Sequence, residues 1–444
     1  MNRRLILIIT IILIIIIGMV LYFALTRNNS NLRGESSFFG NLLPSGEENN
    51  FAPQDQSNTP EAIGNVSENT DNDGISRLRH LTTEPTAGDA ILVKEVDVIK
   101  DRVKTKEKQY WVRYSDRATG HIFDININSP TAKKISNTTI PKIYEAIFTP
   151  DGNSLIARFL SGNNTDQIIT YYITLKDRAP ATTTEKTSGS VIAQNNIGAK
   201  QELKETSGIY LDPDIREIAL SPSGTKILLL TYAGKGSQLI LSDTSGKKPR
   251  TVLSHPLREW LVSFLGETKA VLTTKPSGST NGYAYVLDLD TGTLRKIIGE
   301  IAGLTVLPNK NNSAYLAAGT PDGTIKLFVY FNNEDEIKML QLATFPEKCV
   351  WSNVDNDIAY CAVPNVIPNA LYPDVWYQGK VSFTDNIWKI NVKSGETNLV
   401  SSLSSESGQA IDGVNLRLAS DDTYLTFINK TDLTLWGLNL KTSL

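Results

Sequence analysis

Between Pro364 and Thr384 the chain concentrates residues suited to making specific contacts. Tyr372, Trp376, Tyr377 and Phe383 fall within this stretch, with Asp374 and Lys380 among them and prolines at 364, 368 and 373. Aromatic side chains are enriched where binding energy concentrates. Prolines limit the conformations such a loop can sample. The pattern predicts a recognition loop in which the four aromatics supply contact area and Asp374 and Lys380 act as polar handles. The same composition suits a self-packed lid that plugs a channel, and both readings stay open at this point.

The only two cysteines, Cys349 and Cys361, flank a turn at Val354-Asp355-Asn356-Asp357. If that hairpin is centred on Asp355, Cys349 faces Cys361 and Trp351 faces Ala359 across neighbouring strands. Directly opposed Cβ atoms lie about 4.5–5.5 Å apart, slightly wider than a disulfide prefers. An oxidising compartment favours closure, so a disulfide is expected. The alternative is a pair of small buried thiols that happen to face each other.

Other reactive groups are sparse. The chain has no Gly-x-Ser-x-Gly, His-Glu-x-x-His or Cys-x-x-Cys run and no phosphate-cradling glycine loop. Its three histidines, His80, His121 and His255, are widely separated, with His80 falling in a polar stretch. Neither a metal centre nor a cofactor is expected. Asp288-Leu289-Asp290 and Asp355-Asn356-Asp357 offer paired carboxylates, but neither continues into a calcium-loop pattern, and turn formation accounts for both. A net charge of −3 with no basic stripe disfavours nucleic-acid binding.

The elements that must position these residues recur. Seven apolar or aromatic strands are centred at 123, 170, 240, 285, 328, 388 and 436, at intervals of 47, 70, 45, 43, 60 and 48 residues. Periods in the forties with several strands each indicate radial β-sheet blades. Turns punctuate them. Phe148-Thr149-Pro150-Asp151-Gly152 leads into Leu155-Ile156-Ala157, and Leu220-Ser221-Pro222-Ser223-Gly224 leads into Ile227-Leu228-Leu229. Proline presets φ, Asp or Ser bonds back to the backbone and glycine takes the positive φ, which makes each a hairpin between buried strands. Asp290-Thr291-Gly292, Thr244-Ser245-Gly246 and Lys393-Ser394-Gly395-Glu396 close later hairpins.

These turns resemble the repeats of TolB-type, WD-repeat-like propellers, over roughly 88–442. The resemblance implies an all-β, seven-bladed β-propeller, and it implies no particular activity, because such propellers serve many roles. A β-sandwich with many hairpins is the alternative, although it gives no reason for the period. The two long intervals imply insertions. One, at 178–208, reads as a polar loop. The other, at 364–384, falls between the second and third strands of the sixth blade, on the face that carries the blade-to-blade connections. A strand near Ile91-Leu92-Val93 or Val96-Asp97-Val98 is expected to complete the last blade with the carboxy-terminal strands.

Ahead of the repeats, Leu5 to Leu25 is apolar and uncharged. At about 1.5 Å per residue it spans roughly 31 Å, the thickness of a hydrocarbon core. Arg3 and Arg4 precede it and Arg27 follows, a bias that favours an amino terminus inside the cytoplasm. No Ala-x-Ala site follows, so an uncleaved anchor is expected over a cleaved signal peptide. Residues 28–88 are polar and predict a disordered linker, interrupted by Phe38-Phe39-Gly40-Asn41-Leu42-Leu43-Pro44. The expected organisation is a stub and transmembrane helix over 1–27, a linker over 28–88 and a propeller over 89–444. One such span, a polar tether and a propeller resemble bacterial envelope proteins. The functional expectation is a non-enzymatic scaffold outside the cytoplasmic membrane that binds a protein or envelope ligand. The alternative is a glycan-acting hydrolase or lyase using carboxylates at the propeller mouth.

Overall fold

The computed structural model describes residues 76–441, apart from 101–102, 130, 162–166, 178–202 and 213. The expected span Leu5–Leu25, and the linker up to residue 75, lie outside the described residues. Among the described residues, no helix is long and apolar enough to cross a membrane.

The described chain is an all-β propeller of seven four-stranded antiparallel sheets. The seven strands that carry the repeat are the third strand of every blade, from Ile122–Asn126 in blade one to Leu435–Asn439 in blade seven. The turns fall where their chemistry requires. Gly224 takes φ +71° in the hairpin joining Ile215–Leu220 to Lys226–Ala233. The first strands meet their neighbours around the axis. A Cβ on Gly88, in the first strand of blade one, would lie 1.9 Å from the Ala146 carbonyl oxygen in the first strand of blade two. Burial follows this radial order. In blade five the second strand, Ala314–Gly319, is buried at every position, whereas the fourth, Glu336–Met339, is largely exposed. A second strand has a sheet neighbour on either side and a blade packed on either face, so it can be apolar throughout. An outer strand has one paired edge and needs little more than its backbone hydrogen bonds.

Three expectations are corrected here. The last blade is completed by Leu78–His80, which pairs with Leu435–Asn439 in the register Leu78↔Leu438, Arg79↔Gly437 and His80↔Trp436. Ile91-Leu92-Val93 and Val96-Asp97-Val98 belong instead to the first strand of blade one, Thr86–Lys100. The polar stretch therefore gives way to the propeller by residue 76, not 89, and His80 lies in a strand, stacked on Trp436 at 4.3 Å. Arg77 reinforces the closure through an ion pair with Glu406 at 2.9 Å. The insertion read as 178–208 also ends sooner, because Glu205–Tyr210 is the fourth strand of blade two. Its largely polar sequence hid it, since five of its six residues are exposed.

Blade one departs from the others. Its first two strands, Thr86–Lys100 and Val103–Asp116, outrun the third strand and form a long hairpin. The ion pairs Lys104–Asp97 and Lys106–Glu95 link its two strands.

Candidate functional site at the propeller mouth

In an antiparallel blade, the start of the first strand, the end of the second and the start of the third share one face. The 364–384 insertion joins the second strand of blade six, Ile358–Pro364, to the third, Asp385–Asn391. It therefore lies over the channel mouth, among the starts of the first strands.

The insertion reaches across four blades. Asp374 accepts hydrogen bonds from Ser277 Oγ at 2.9 Å and the Gly278 amide at 2.7 Å in blade four. Thr320 Oγ1 in blade five donates to the Tyr372 carbonyl at 3.1 Å. Within blade six, the Tyr377 hydroxyl donates to Glu347 Oε1. Trp376 Nε1 and the Phe383 amide donate to Asp412 Oδ2, at the entry to blade seven, at 3.0 and 3.1 Å. The approach is close enough to require glycine on the far side, since a Cβ on Gly278 would sit 2.2 Å from the Tyr372 carbonyl oxygen. A short helix, Asp374–Tyr377, turns the chain, and a cis peptide precedes Pro373.

Beneath the insertion is a buried ionic core. Lys348 and Asp385 are fully buried, and Lys348 Nζ donates to Asp385 Oδ2 at 2.7 Å, to Asp412 Oδ1 and to the Gly413 carbonyl at 3.1 Å. Burial lowers the Lys348 pKa, but the Asp385 and Asp412 carboxylates outweigh it and hold the ammonium above its ordinary value. Burial pushes Asp385 up to about 6 against the pull of Lys348. The ammonium also lies 5.3 Å from the Trp376 ring and 5.4 Å from Phe383. On the rim, Lys430 Nζ is 5.3 Å from the Trp376 ring, and burial lowers its pKa.

The structure places the six residues expected to bind as follows. Tyr372, Trp376 and Phe383 are 2–3% exposed and pack around Phe345. Asp374 and Tyr377 are half-buried and hydrogen-bonded within the protein. Lys380 is exposed. The insertion is thus packed into the molecule through three of its four aromatics, and contact through those three would require it to open. Cys349 and Cys361 form a disulfide in the anticipated register, one residue beyond Lys348. The acidic pairs act in turns: Asp288 Oδ1 accepts from the Thr291 amide at 2.9 Å, and Asp355 Oδ1 from the Asp357 amide at 2.9 Å.

The mouth continues around blades one to three and onto the entry of blade four, beyond the insertion's contact with Ser277 and Gly278. Fully buried Arg158 forms an ion pair with Glu145 at 2.8 Å and donates to the Ile215 and Arg216 carbonyls at 3.0 Å each. The Arg216 and Arg258 guanidinium carbons lie 4.5 and 3.9 Å from the centre of the Tyr232 ring. The Tyr232 hydroxyl donates to Glu259, which also pairs with Lys275 at 3.3 Å. Burial pushes Glu217 up to about 8, against the opposing pull of Arg158. Several buried polar atoms here have no hydrogen-bond partner among the described residues, including Tyr144 Oη, Arg216 Nε and Arg258 Nε.

None of these rim residues stood out in the sequence. Their shared signal is positional: Tyr144-Glu145, Arg216-Glu217, Arg258-Glu259 and Glu347-Lys348 each open or immediately precede the first strand of a blade. On the opposite face a cleft of about 740 Å³ lies between blades one and two, lined by Lys94, Trp111, Lys133 and the buried Arg113–Asp124 pair. Among the described residues, no group of three metal-ligating side chains converges.

No protein-family model matches the chain. None of the curated proteins matches it. Solved structures do. An oligogalacturonate lyase in complex with manganese is similar with TM-score 0.47 and 8% identity, covering 79% of this chain and 97% of that one. The β-propeller domain of the Trilobed protease from Pyrococcus furiosus gives TM-score 0.44 and 11% identity, over 76% and 92%. TolB from Acinetobacter baumannii gives 0.37 and 10%, over 80% of each chain.

Proposed function

We propose that this protein is a membrane-tethered, extracytoplasmic scaffold that binds a protein or cell-envelope ligand at the open part of its propeller mouth. What supports this reading is the state of that rim. Arg216, Glu217, Tyr232, Arg258 and Glu259 remain partly exposed on or directly before blade strands, and buried polar atoms among them lack partners among the described residues. Fixed, unsatisfied polar groups on a rigid frame bind with little ordering cost. The apolar run at Leu5–Leu25 would hold the propeller at the membrane, amino terminus inside, and the polar segment after it would set its reach. A photo-crosslinking residue at Glu259 in the full-length chain, expressed in cells, tests the reading. It should capture a discrete partner that is not captured from Asp290 on the opposite face. Equal capture from both positions, or none from either, counts against it.

A second reading, a glycan-acting hydrolase or lyase, draws on Glu217. A carboxyl pushed up to about 8 can still hold a proton near neutral pH, as a general acid must. Glu145 and Glu259 supply further carboxylates around it. Turnover of an envelope glycan that disappears in Glu217→Gln would favour this reading over the scaffold.

A further inference from the structure

The guanidinium groups of the open rim divide by partner. Arg158 holds the Glu145 carboxylate at 2.8 Å. Arg117, Arg216 and Arg258 hold none within 4.0 Å among the described residues, although all three are half-buried. A desolvated guanidinium without an anion is costly, and proteins normally pair it. Burial brings Arg117 down to about 10.

The placement of the three is specific. Arg216 and Arg258 lie 4.5 and 3.9 Å from one ring centre, so their guanidinium carbons are no more than about 8.4 Å apart. The ring contact leaves N–H groups unused, as the Nε of each, without a partner among the described residues, shows. Arg117 closes the second strand of blade one, on the same face, and acts electrostatically on Tyr144, whose buried hydroxyl also lacks a partner.

We propose that the rim formed by Arg117, Arg216 and Arg258 is a binding site for the carboxylate groups of an acidic ligand. This deepens the scaffold reading by naming the ligand's chemistry, and it rests on that reading's choice of the open rim. A guanidinium presents a planar fork of donors that matches a carboxylate in two hydrogen bonds. The Tyr144 hydroxyl adds a neutral donor. Arg216 and Arg258 flank one ring, close enough for two carboxylates of a single ligand, so a polycarboxylate such as citrate engages the rim at more points than inorganic phosphate, which is the poorer fit.

Calorimetric titration of the full-length protein in detergent tests this, with citrate as the probe and inorganic phosphate as the comparator. The wild type should bind citrate, more weakly as salt rises, and at least ten-fold more tightly than phosphate. Arg216→Ala/Arg258→Ala should lose at least ten-fold in citrate affinity. Arg216→Lys/Arg258→Lys keeps the charge without the fork and should recover only part of it. Arg250→Ala, on the opposite face, should bind as the wild type does, and thermal melts establish that each variant is folded. Unchanged citrate affinity in the folded double-alanine variant overturns the proposal, as does phosphate binding tighter than citrate, or no citrate binding by the wild type. The Glu259 crosslink reports separately on the scaffold reading. Partner capture that persists without citrate binding rejects only the ligand chemistry, and citrate binding without capture rejects only the scaffold.

Discussion

The two parts of the propeller mouth use similar residues in similar places and reach opposite outcomes. Under the insertion, the entries to blades six and seven supply Lys348 and Asp412, and every proton of the Lys348 ammonium finds an oxygen. Around the rest of the mouth, Arg216 and Arg258 open their blades in the same manner, yet they stack on Tyr232 and keep N–H groups without a partner among the described residues. The difference is the cover. Trp376 and Phe383 exclude water over Lys348 and commit Asp412 to internal hydrogen bonds. Nothing from the insertion reaches Arg216. One part is therefore a structural core placed at a functional position, and the other keeps the exposure that recognition requires.

That contrast can be broken experimentally. Lys348→Ala leaves Asp385 and Asp412 buried without their cation and should cost about 3–5 kcal/mol in urea unfolding, while Arg258→Ala should cost under about 1 kcal/mol. Equal costs would erase the distinction between the two parts. Trp376→Ala should destabilise by about 3–5 kcal/mol through the cavity it leaves. A variant of wild-type stability would mean that the insertion is an open loop. Next comes the Cys349–Cys361 link, whose removal should cost about 2–4 kcal/mol. Two freely alkylated thiols in native protein, read by intact mass, would remove that contribution.

A further effect concerns pH. Burial raises the folded pKa of Glu217 to about 8 from an ordinary carboxyl value of 4.5. Between those values the native state binds more protons than the unfolded state, so this residue's contribution to stability is present below about 4.5 and is lost as pH rises through about 8. The slope approaches but does not exceed about 1.4 kcal/mol per pH unit. Glu217→Gln should flatten stability over this window, and an unchanged slope would assign it to another group. The exposed pair Lys104–Asp97 in the blade-one hairpin should matter least, with Lys104→Ala changing stability by no more than about 0.5 kcal/mol.

Much of the fold was legible in the sequence because the third strand of each blade has an apolar or aromatic centre and its turns need proline, aspartate and glycine at set places. The register of Cys349 with Cys361 followed from the hairpin alone. What escaped was polar or short. Leu78–His80 is three residues at the edge of a polar stretch, and it is a strand only because Leu435–Asn439 offers it an edge. Glu205–Tyr210 holds its place by backbone hydrogen bonds and shows little apolar alternation. The rim escaped for a related reason. Arg216 and Arg258 look like ordinary turn charges until the blades close into a ring and bring both to one tyrosine. The insertion was located from the spacing, but the inward orientation of Tyr372, Trp376 and Phe383 depends on Phe345 and Lys348 at the entry to blade six and on Asp412 at the entry to blade seven, which only folding brings together.

Hydrogen exchange on the full-length protein tests the division of the mouth most directly. The amides of Trp376, Gln378 and Phe383 are bonded within the protein and should exchange about as slowly as the second strands of the blades. The Arg258–Glu259 segment should exchange faster and should slow when citrate is added. Fast exchange throughout 364–384, together with a 258–259 segment that citrate leaves unchanged, would contradict a sealed part beside an open binding part.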